Sequence, residues 1–426
     1  MATILGGSDF FFFFITPSRK FYGFVDGIEE MGGGRIAVQF DAVDAEAFEK
    51  HSDATYPDEA LGYIRIVSTR GNLRRLMASR EDIVAGDWVE LELSLPQTGG
   101  TRAWMLRLEG DRYRGRDDRR PERRTLISLR MISRGTDGPS PRPLSSGVPT
   151  PPDQALRLRR THSLAPLAAD ESSSAARILL ANRLHRVRIK NLAALDVGQA
   201  SFNAMFLNEN TDSFVFFDVG KPLWFNIHSF PKRFHINASN NSIVILSHWD
   251  TDHYLYGREN ANFHKAIWIA PAQSSVGPNA YKFAVKLVND HQLHLISRGF
   301  SCRLEGGSSL NIIRCNGNNI NNSGLALRLQ LPGNDVLLTG DCDYSHIPGI
   351  NRMRLTALQV PHHGGRQPAG SQPFSHPPSK AVASVGIPNR YNHPNQVELA
   401  ALAANGWNVV TTAASDTQPR GPKSYC

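Results

Sequence analysis

Cysteine is scarce in this 426-residue chain: Cys302, Cys315, Cys342 and Cys426 are widely spaced and form no Cys-x-x-Cys pair. That excludes a disulfide framework and a zinc ribbon and leaves ordinary reduced thiols. Long apolar runs are missing as well. The most hydrophobic stretch, Phe10 to Ile15, is far shorter than the roughly 20 residues that a membrane-crossing helix needs. No basic segment precedes it as in a secretory signal. The expectation is a cytoplasmic protein with no membrane partner. Charge is too sparse for a disordered or fibrous chain, since charged residues make up 20% and hydrophobic residues 41%, a globular balance. At roughly 100 to 200 residues per domain, the length predicts two or three folding units.

The formal net charge of +8 is unevenly spread. Residues 1–110 carry 11 basic and 17 acidic groups (−6), residues 111–190 carry 18 and 8 (+10), and residues 191–426 carry 18 and 14 (+4). The basic excess thus belongs to the middle segment, which changes what it implies about partners. Histidine is concentrated elsewhere: 12 of 15 lie between residues 191 and 426.

Short β-branched and aromatic runs at Phe21–Val25, Arg35–Phe40, Tyr63–Val67, Trp88–Leu93 and Ala103–Arg107, separated by Gly-rich or acidic turns, predict a small all-β barrel of the OB or SH3 kind over residues 1–110. Its net acidity favours a protein contact or an architectural role. Residues 111–177, with Arg112–Arg116, Arg119, Arg120, Arg123, Arg124, Arg157–Arg160 and a Pro/Ser-rich run Gly138–Pro152, predict a disordered linker. Such a linker is either a solvated spacer or a polybasic arm for phosphates. Residues 178–426 alternate strand and helix signals, the helices falling at Pro278–His291 and Asn395–Asn405. This predicts an α/β domain of two sheets with helices outside.

The segment Ser247-His-Trp-Asp-Thr-Asp-His253 directly follows the apolar run Ile243–Leu246. Two imidazoles and two carboxylates at the end of a buried strand are costly to gather unless something compensates them, and a divalent metal is the simplest compensation. Asp341 closes the apolar run Val336–Leu338, and His362 and His363 close Leu358–Val360. One such strand end is ordinary; three in succession delivering metal-ligand types point to a metal centre.

Together with Leu195-Asp-Val-Gly-Gln199, Phe217-Asp-Val-Gly220, Asn321–Leu329, Leu337–Asp341, Val360–Gly364 and Asn389–Pro394, these residues resemble the metallo-β-lactamase fold. The form His248-x-Asp250-x-Asp252-His253 is similar to that of the subgroup typified by the hydrolase domain of the DNA-uptake channel protein ComEC and its soluble relatives. The resemblance covers about residues 190 to 415 and implies an αββα sandwich. It further implies two divalent ions, zinc or manganese with magnesium admissible. His248 and Asp250 would hold the first, Asp252 and His253 the second, Asp341 would bridge, and His362 or His363 would complete the second site. Asp218 would orient a ligand histidine. Asn321 or Asn322 stands where the superfamily often has a third histidine, and Asn322, Ser323 and Arg390 would meet substrate. Arg390, Tyr391 and His393 would neutralise charge or protonate a leaving oxygen. The family's acidic residue after Gln199 is absent, since Ala200 and Ser201 follow.

The resulting expectation is a phosphodiesterase or nuclease acting on nucleic acid, DNA above all, by water activated on two metals, with the basic linker holding the polyanion. The alternatives are hydrolysis of a small phosphodiester, such as a nucleotide or phosphocholine-type ester, and an adaptor whose metal site is secondary.

Overall fold

The computed structural model describes residues 18–51, 54–110, 112–114, 120–134, 152–168, 172–185, 187–206, 213–414 and 419–425. In the N-terminal part β1 (Arg19–Glu30), β2 (Arg35–Asp44), β3 (Leu61–Thr69), β4 (Trp88–Ser94), β5 (Thr101–Glu109), the short β6 (Arg112–Arg114) and β7 (Glu122–Ser133) share one sheet. β3 pairs with β5 as well as with β2, so β1, β2, β3, β5, β7 and β4 close into a six-stranded antiparallel barrel. Alternation fills it: Ile36, Val38, Phe40 and Ala42 point inward to meet Val89, Leu91, Met105 and Leu129. Gly23 belongs to this interior, where a Cβ would come within 2.6 Å of the Leu91 side chain. Two short helices ride on the barrel, α1 (Ala45–Lys50) capped by the Asp44 carboxylate and α2 (Arg70–Leu76) capped by the Thr69 hydroxyl.

The composition shift at Asp111 predicts the end of this domain, but the chain returns. β7 inserts between β4 and β5 and supplies Leu126, Leu129 and Met131 to the barrel interior. Arg123, Arg124 and Arg130 lie among its residues, and that charge hides a strand inside a basic segment. The arginines are also partly spent on the acidic barrel and its neighbours: Arg130 pairs with Glu90 at 2.8 Å, Arg134 with Asp87 at 3.0 Å and Arg157 with Glu49 at 2.5 Å. Nor is the rest of residues 111–177 wholly irregular, for α3 (Pro152–Thr161) and the start of α4 (Ser172–Leu184) lie in it. Most of the Pro/Ser-rich run, Arg119 and the Phe10–Ile15 run fall outside the described residues.

Beyond α4, β8 (Asn191–Ala194), β9 (Phe202–Phe206), β10 (Ser213–Val219), β11 (Ile243–Ile245), β12 (Ile267–Pro271) and β13 (Leu293–Ile296) form a seven-stranded sheet with a final strand described below. A second sheet runs in chain order through β14 (Phe300–Arg303), β15 (Ser309–Arg314), β16 (Leu325–Leu331), β17 (Asn334–Leu338), β18 (Ala357–Gln359), β19 (Lys380–Ala383) and β20 (Asn408–Thr411). β21 (Lys423–Ser424) then returns to the edge of the first sheet beside β8. The sheets pack face to face through Phe217, Ile245, Leu327, Leu338 and Val382, and Ala176, Leu180 and Leu184, spaced four apart on α4, seal this core. α5 (Thr251–Glu259) and α6 (Pro278–Asn289) cover the outer face of the first sheet, where Val244 and Trp268 meet Tyr254 and Phe283. α7 (Gln396–Ala404) covers the second, where Leu358 and Ala381 meet Leu402. The layer order is therefore helix, sheet, sheet, helix. Among the described residues no helix is long and apolar enough to cross a membrane.

The barrel docks on the first of these helical faces. The Asp41 carboxylate accepts from the backbone N–H groups of Asn279 (2.9 Å) and Ala280 (3.2 Å) in the first turn of α6, where the exposed N–H ends favour an anion. Arg65 lies over the Phe225 ring, 4.5 Å from its centre, and the Trp88 indole donates to Ser275. His162, just past α3, sits between Trp88 and Tyr281 at the joint.

Candidate metal centre

β10 and β11 run parallel in the first sheet, as do β17, β18 and β19 in the second, so the chemistry-bearing residues leave at carboxyl ends of strands, where α/β proteins gather ligands. Asp218 ends β10, His248 and Asp250 follow β11, Asp341 follows β17, and His362 and His363 follow β18. Two glycines permit the approach. A Cβ on Gly220 would lie 1.7 Å from the Asp252 carbonyl oxygen, and Gly340, at φ +56°, would drive one into Ser247.

The histidines are oriented from behind. Asp218 accepts from the Ser247 backbone N–H (2.8 Å), the Ser247 hydroxyl (3.0 Å) and His253 Nδ1 (2.9 Å). With its proton given to Asp218, Ser247 Oγ accepts from His248 Nδ1 at 2.9 Å. His363 Nδ1 donates to the Ser384 carbonyl at 2.9 Å, and a carbonyl can only accept. Each of the three rings therefore carries its proton on Nδ1 and presents a bare Nε2 to a common space. Those three Nε2 atoms and Asp250 Oδ1 are buried without a hydrogen-bond partner. Facing them, Asp250 Oδ2 lies 3.2 Å from His248 Nε2, Asp341 Oδ1 3.2 Å from His253 Nε2 and Asp252 Oδ2 3.2 Å from His363 Nε2. Ligand atoms of His248, His253 and Asp341, and likewise those of Asp252, His253 and His363, lie within 4.8 Å of one another. Orphaned imidazole nitrogens opposed to carboxylates are the donor set of a divalent cation such as zinc.

The electrostatics report the same demand for a cation. Burial raises the Asp250 carboxyl, with His248 opposing. Burial would also raise Asp341, but His253, His362 and His363 hold it well below the usual carboxylate range. Burial would lower His253, yet Asp341 and Asp218 push it well above the ordinary imidazole value. Positive charge, whether a proton on an imidazole or a bound cation, offsets the repulsion among its carboxylates.

No protein-family model matches the chain. Over 102 residues, 23% of this chain and 13% of the relative, it is 30% identical to ComE operon protein 3 of Bacillus subtilis (strain 168). The chain thus spans only a small part of that relative's length. Among solved structures, the metallo-beta-lactamase fold protein YhfI from Bacillus subtilis is 10% identical with a TM-score of 0.32, over 55% of this chain and 100% of that one. A metallo-beta-lactamase superfamily structure from Thermotoga maritima is 13% identical with a TM-score of 0.21, over 39% and 60%. The chain resembles the metallo-β-lactamase-fold hydrolases.

Within this cleft the two adjacent histidines part company. Both adopt left-handed backbone, at φ 51° and 55°, and so point in different directions. His363 faces the cluster with a free nitrogen. His362 is less buried, takes a hydrogen bond from Asn321 on its Nε2 (3.2 Å) and turns its Nδ1 to Asp341 Oδ2 (3.0 Å). Asn322 and Ser323 are turned elsewhere. Asn322 exchanges hydrogen bonds with Asp343 (3.0 and 2.8 Å), and Ser323 accepts from Gln273 at 2.9 Å, so both are held by the fold rather than presented to substrate. Arg390 is exposed, its backbone N–H engaged by Asn226. Tyr391 stacks on His393, with ring centres 5.5 Å apart, and its hydroxyl accepts from Gln39 of the barrel at 3.1 Å. Gln199 donates to His393 Nδ1 at 3.3 Å, which leaves the proton on Nε2. Burial, reinforced by His363 and His362, lowers His393 to about 3, so it stands as a neutral N–H donor beside the cleft.

Three contributors are not legible from motif spacing. Ser247 links two ligand histidines to Asp218, and the Ser384 carbonyl orients His363. The third, Asp26, lies at the bulge in β1 between Val25 and Gly27 and is buried with no hydrogen bond or ion pair among the described residues. Burial and the nearby charges of Asp250, Asp41 and Asp252 raise it well above the usual carboxylate range.

Proposed function

We propose that the chain is a metal-dependent hydrolase that cleaves phosphodiester bonds in nucleic acid, DNA foremost, using two divalent ions, zinc or manganese. The observation that carries this reading is the convergence of three bare, buried Nε2 atoms on three carboxylates. His248 with Asp250, and Asp252 with His253 and His363, would hold the ions, with Asp341 between them. Bound divalent ions supply Lewis-acid polarisation of a phosphoryl oxygen and lower the pKa of water toward neutrality. The chain's own residues do the rest. Asp218 and Ser247 would fix the ligand tautomers, and His393, neutral with its proton on Nε2, would offer a hydrogen bond to the departing oxygen, which takes its proton from solvent. The resemblance to the DNA-uptake hydrolase domain supports nucleic acid as the substrate. Unspent arginines of the middle segment, such as Arg112 and Arg120, both exposed, add affinity for phosphates.

The test is metal analysis of the purified protein, followed by assays on single- and double-stranded DNA and RNA with manganese, magnesium or zinc, and with chelator as control. Bound metal and chelator-sensitive cleavage are expected. Absence of cleavage under every condition refutes the nuclease reading.

A further inference from the structure

A cavity of about 1130 Å³ lies beside the metal cleft, between the β5–β6 hairpin of the barrel and the hydrolase domain, and the chemistry above makes no use of it. Its walls come from three places: Leu106 and Arg112 of the hairpin, the loop that follows Asp218, and the outer part of α5. The loop and helix contribute aromatic surface from Trp224, Phe230 and Tyr256, each only partly buried. Cations stand around it. Arg112 and Lys232 are exposed, and Lys221 reaches across the Phe230 ring at 5.6 Å while pairing with Glu259 at 2.5 Å. Among the described lining residues Glu259 is the one carboxylate, against Arg112, Lys221 and Lys232. The Trp224 indole N–H has no partner among the described residues.

The cavity and the metal ligands share two elements, α5 and the loop after β10. Asp252, Tyr256 and Glu259 are spaced four and three apart on α5 and so share one side of it, with Tyr256 about 6 Å and Glu259 about 10 Å beyond Asp252 along the axis. The strand end that carries Asp218 leads through Gly220 directly into Lys221. A polymer lying in the cavity could therefore reach the metal ligands along these two elements.

We propose that this groove is the track for single-stranded nucleic acid, a base stacking on Trp224 while Arg112, Lys221 and Lys232 follow the phosphates. Aromatic faces and flanking cations without a dense set of base-edge readers are the chemistry of sequence-tolerant single-strand binding. In a duplex the bases are already stacked on one another, so the aromatic faces have nothing to meet. The assignment rests on the nuclease reading above but concerns binding, and binding can be measured where no hydrolysis occurs.

The experiment uses the full chain stripped of metal with chelator, and fluorescence anisotropy of labelled oligothymidylate against a mixed-sequence duplex. The wild type is expected to prefer the single strand. Trp224→Ala is expected to weaken it by about tenfold or more, as loss of one stacked base does. Lys232→Ala, at an exposed position that the fold does not depend on, is expected to reduce the slope of log affinity against log salt by about 0.7. Unchanged single-strand affinity and salt slope in Lys232→Ala, or equal affinity for duplex and single strand, overturns the proposal. Single-strand binding that responds to both substitutions in a protein that cleaves no phosphodiester leaves the groove standing and removes the nuclease reading alone.

Discussion

Lowering the pH should loosen the joint between the barrel and the two-sheet domain through one residue. His162 is fully buried, stacked on Trp88 with ring centres 5.0 Å apart, and set edge-to-face against Tyr281. Its Nδ1 donates to the Leu158 carbonyl (2.9 Å), so Nε2 accepts from the Tyr56 hydroxyl (2.6 Å) and the ring is satisfied only when neutral. Burial lowers it to about 4 from 6.5, against a small opposing effect of the Leu158 carbonyl. On acidification the unfolded chain takes up its proton first, so the stability His162 confers is complete above pH 6.5 and is lost as the pH falls toward 4. At pH 4.5 the loss is about 2.5 kcal/mol. The assay is urea unfolding of chelator-treated wild type and His162→Phe, followed by tryptophan fluorescence at pH 7.0 and 4.5. At pH 7.0 the variant should be weaker by about 1–3 kcal/mol, because the Tyr56 hydroxyl is left buried without a partner. At pH 4.5 that gap should close or reverse, whereas the carboxylates and ligand histidines common to both proteins cancel in the difference. A wild-type advantage that stays constant within about 0.5 kcal/mol between the two pH values refutes the argument.

The metal centre makes separable predictions. Asp218→Asn should cost roughly 10- to 100-fold in metal affinity by titration, since the carboxylate fixes the tautomers of His253 and, through Ser247, His248. His363→Ala should lose metal by elemental analysis, whereas His362→Ala should retain it, because the former alone presents a buried nitrogen with no hydrogen-bond partner; equal loss in both would count against the assignment. Gly220→Ala should displace the backbone of Asp252 and lower both metal content and melting temperature, and a variant that melts like the wild type with full metal would show that the contact yields cheaply.

Much of the centre is legible in the sequence because strand ends are. An apolar run that stops at His248, Asp341 or His363 announces both a buried strand and an uncompensated polar group. Which of two adjacent histidines faces inward is not written there, because it depends on a left-handed turn at Pro361–Gly364 that only the surrounding packing enforces. β7 escapes for a different reason. A bulge at Ile127 breaks its alternation, so that Leu126 and Leu129 face inward three apart, and with Arg123, Arg124 and Arg130 beside them a charge count reads the segment as linker. The acidity of the N-terminal domain has a similar explanation: Asp26, Glu29 and Asp41 are buried rather than solvated, so the excess that resembles an outward-facing acidic surface lies partly against the chain's own second domain.

The late return of β7 also decides where this protein can be divided. A break at residue 110, where the composition changes, would strand β4 and β5 with unpaired backbone edges along the very rows that β7 now occupies. Exposed edges of that kind recruit one another, so such a fragment should precipitate or pair with itself. A fragment extended through Ser133 keeps a closed ring of strands, and what it would then expose is the apolar face of Phe24, Tyr56 and Trp88 that packs on the second domain.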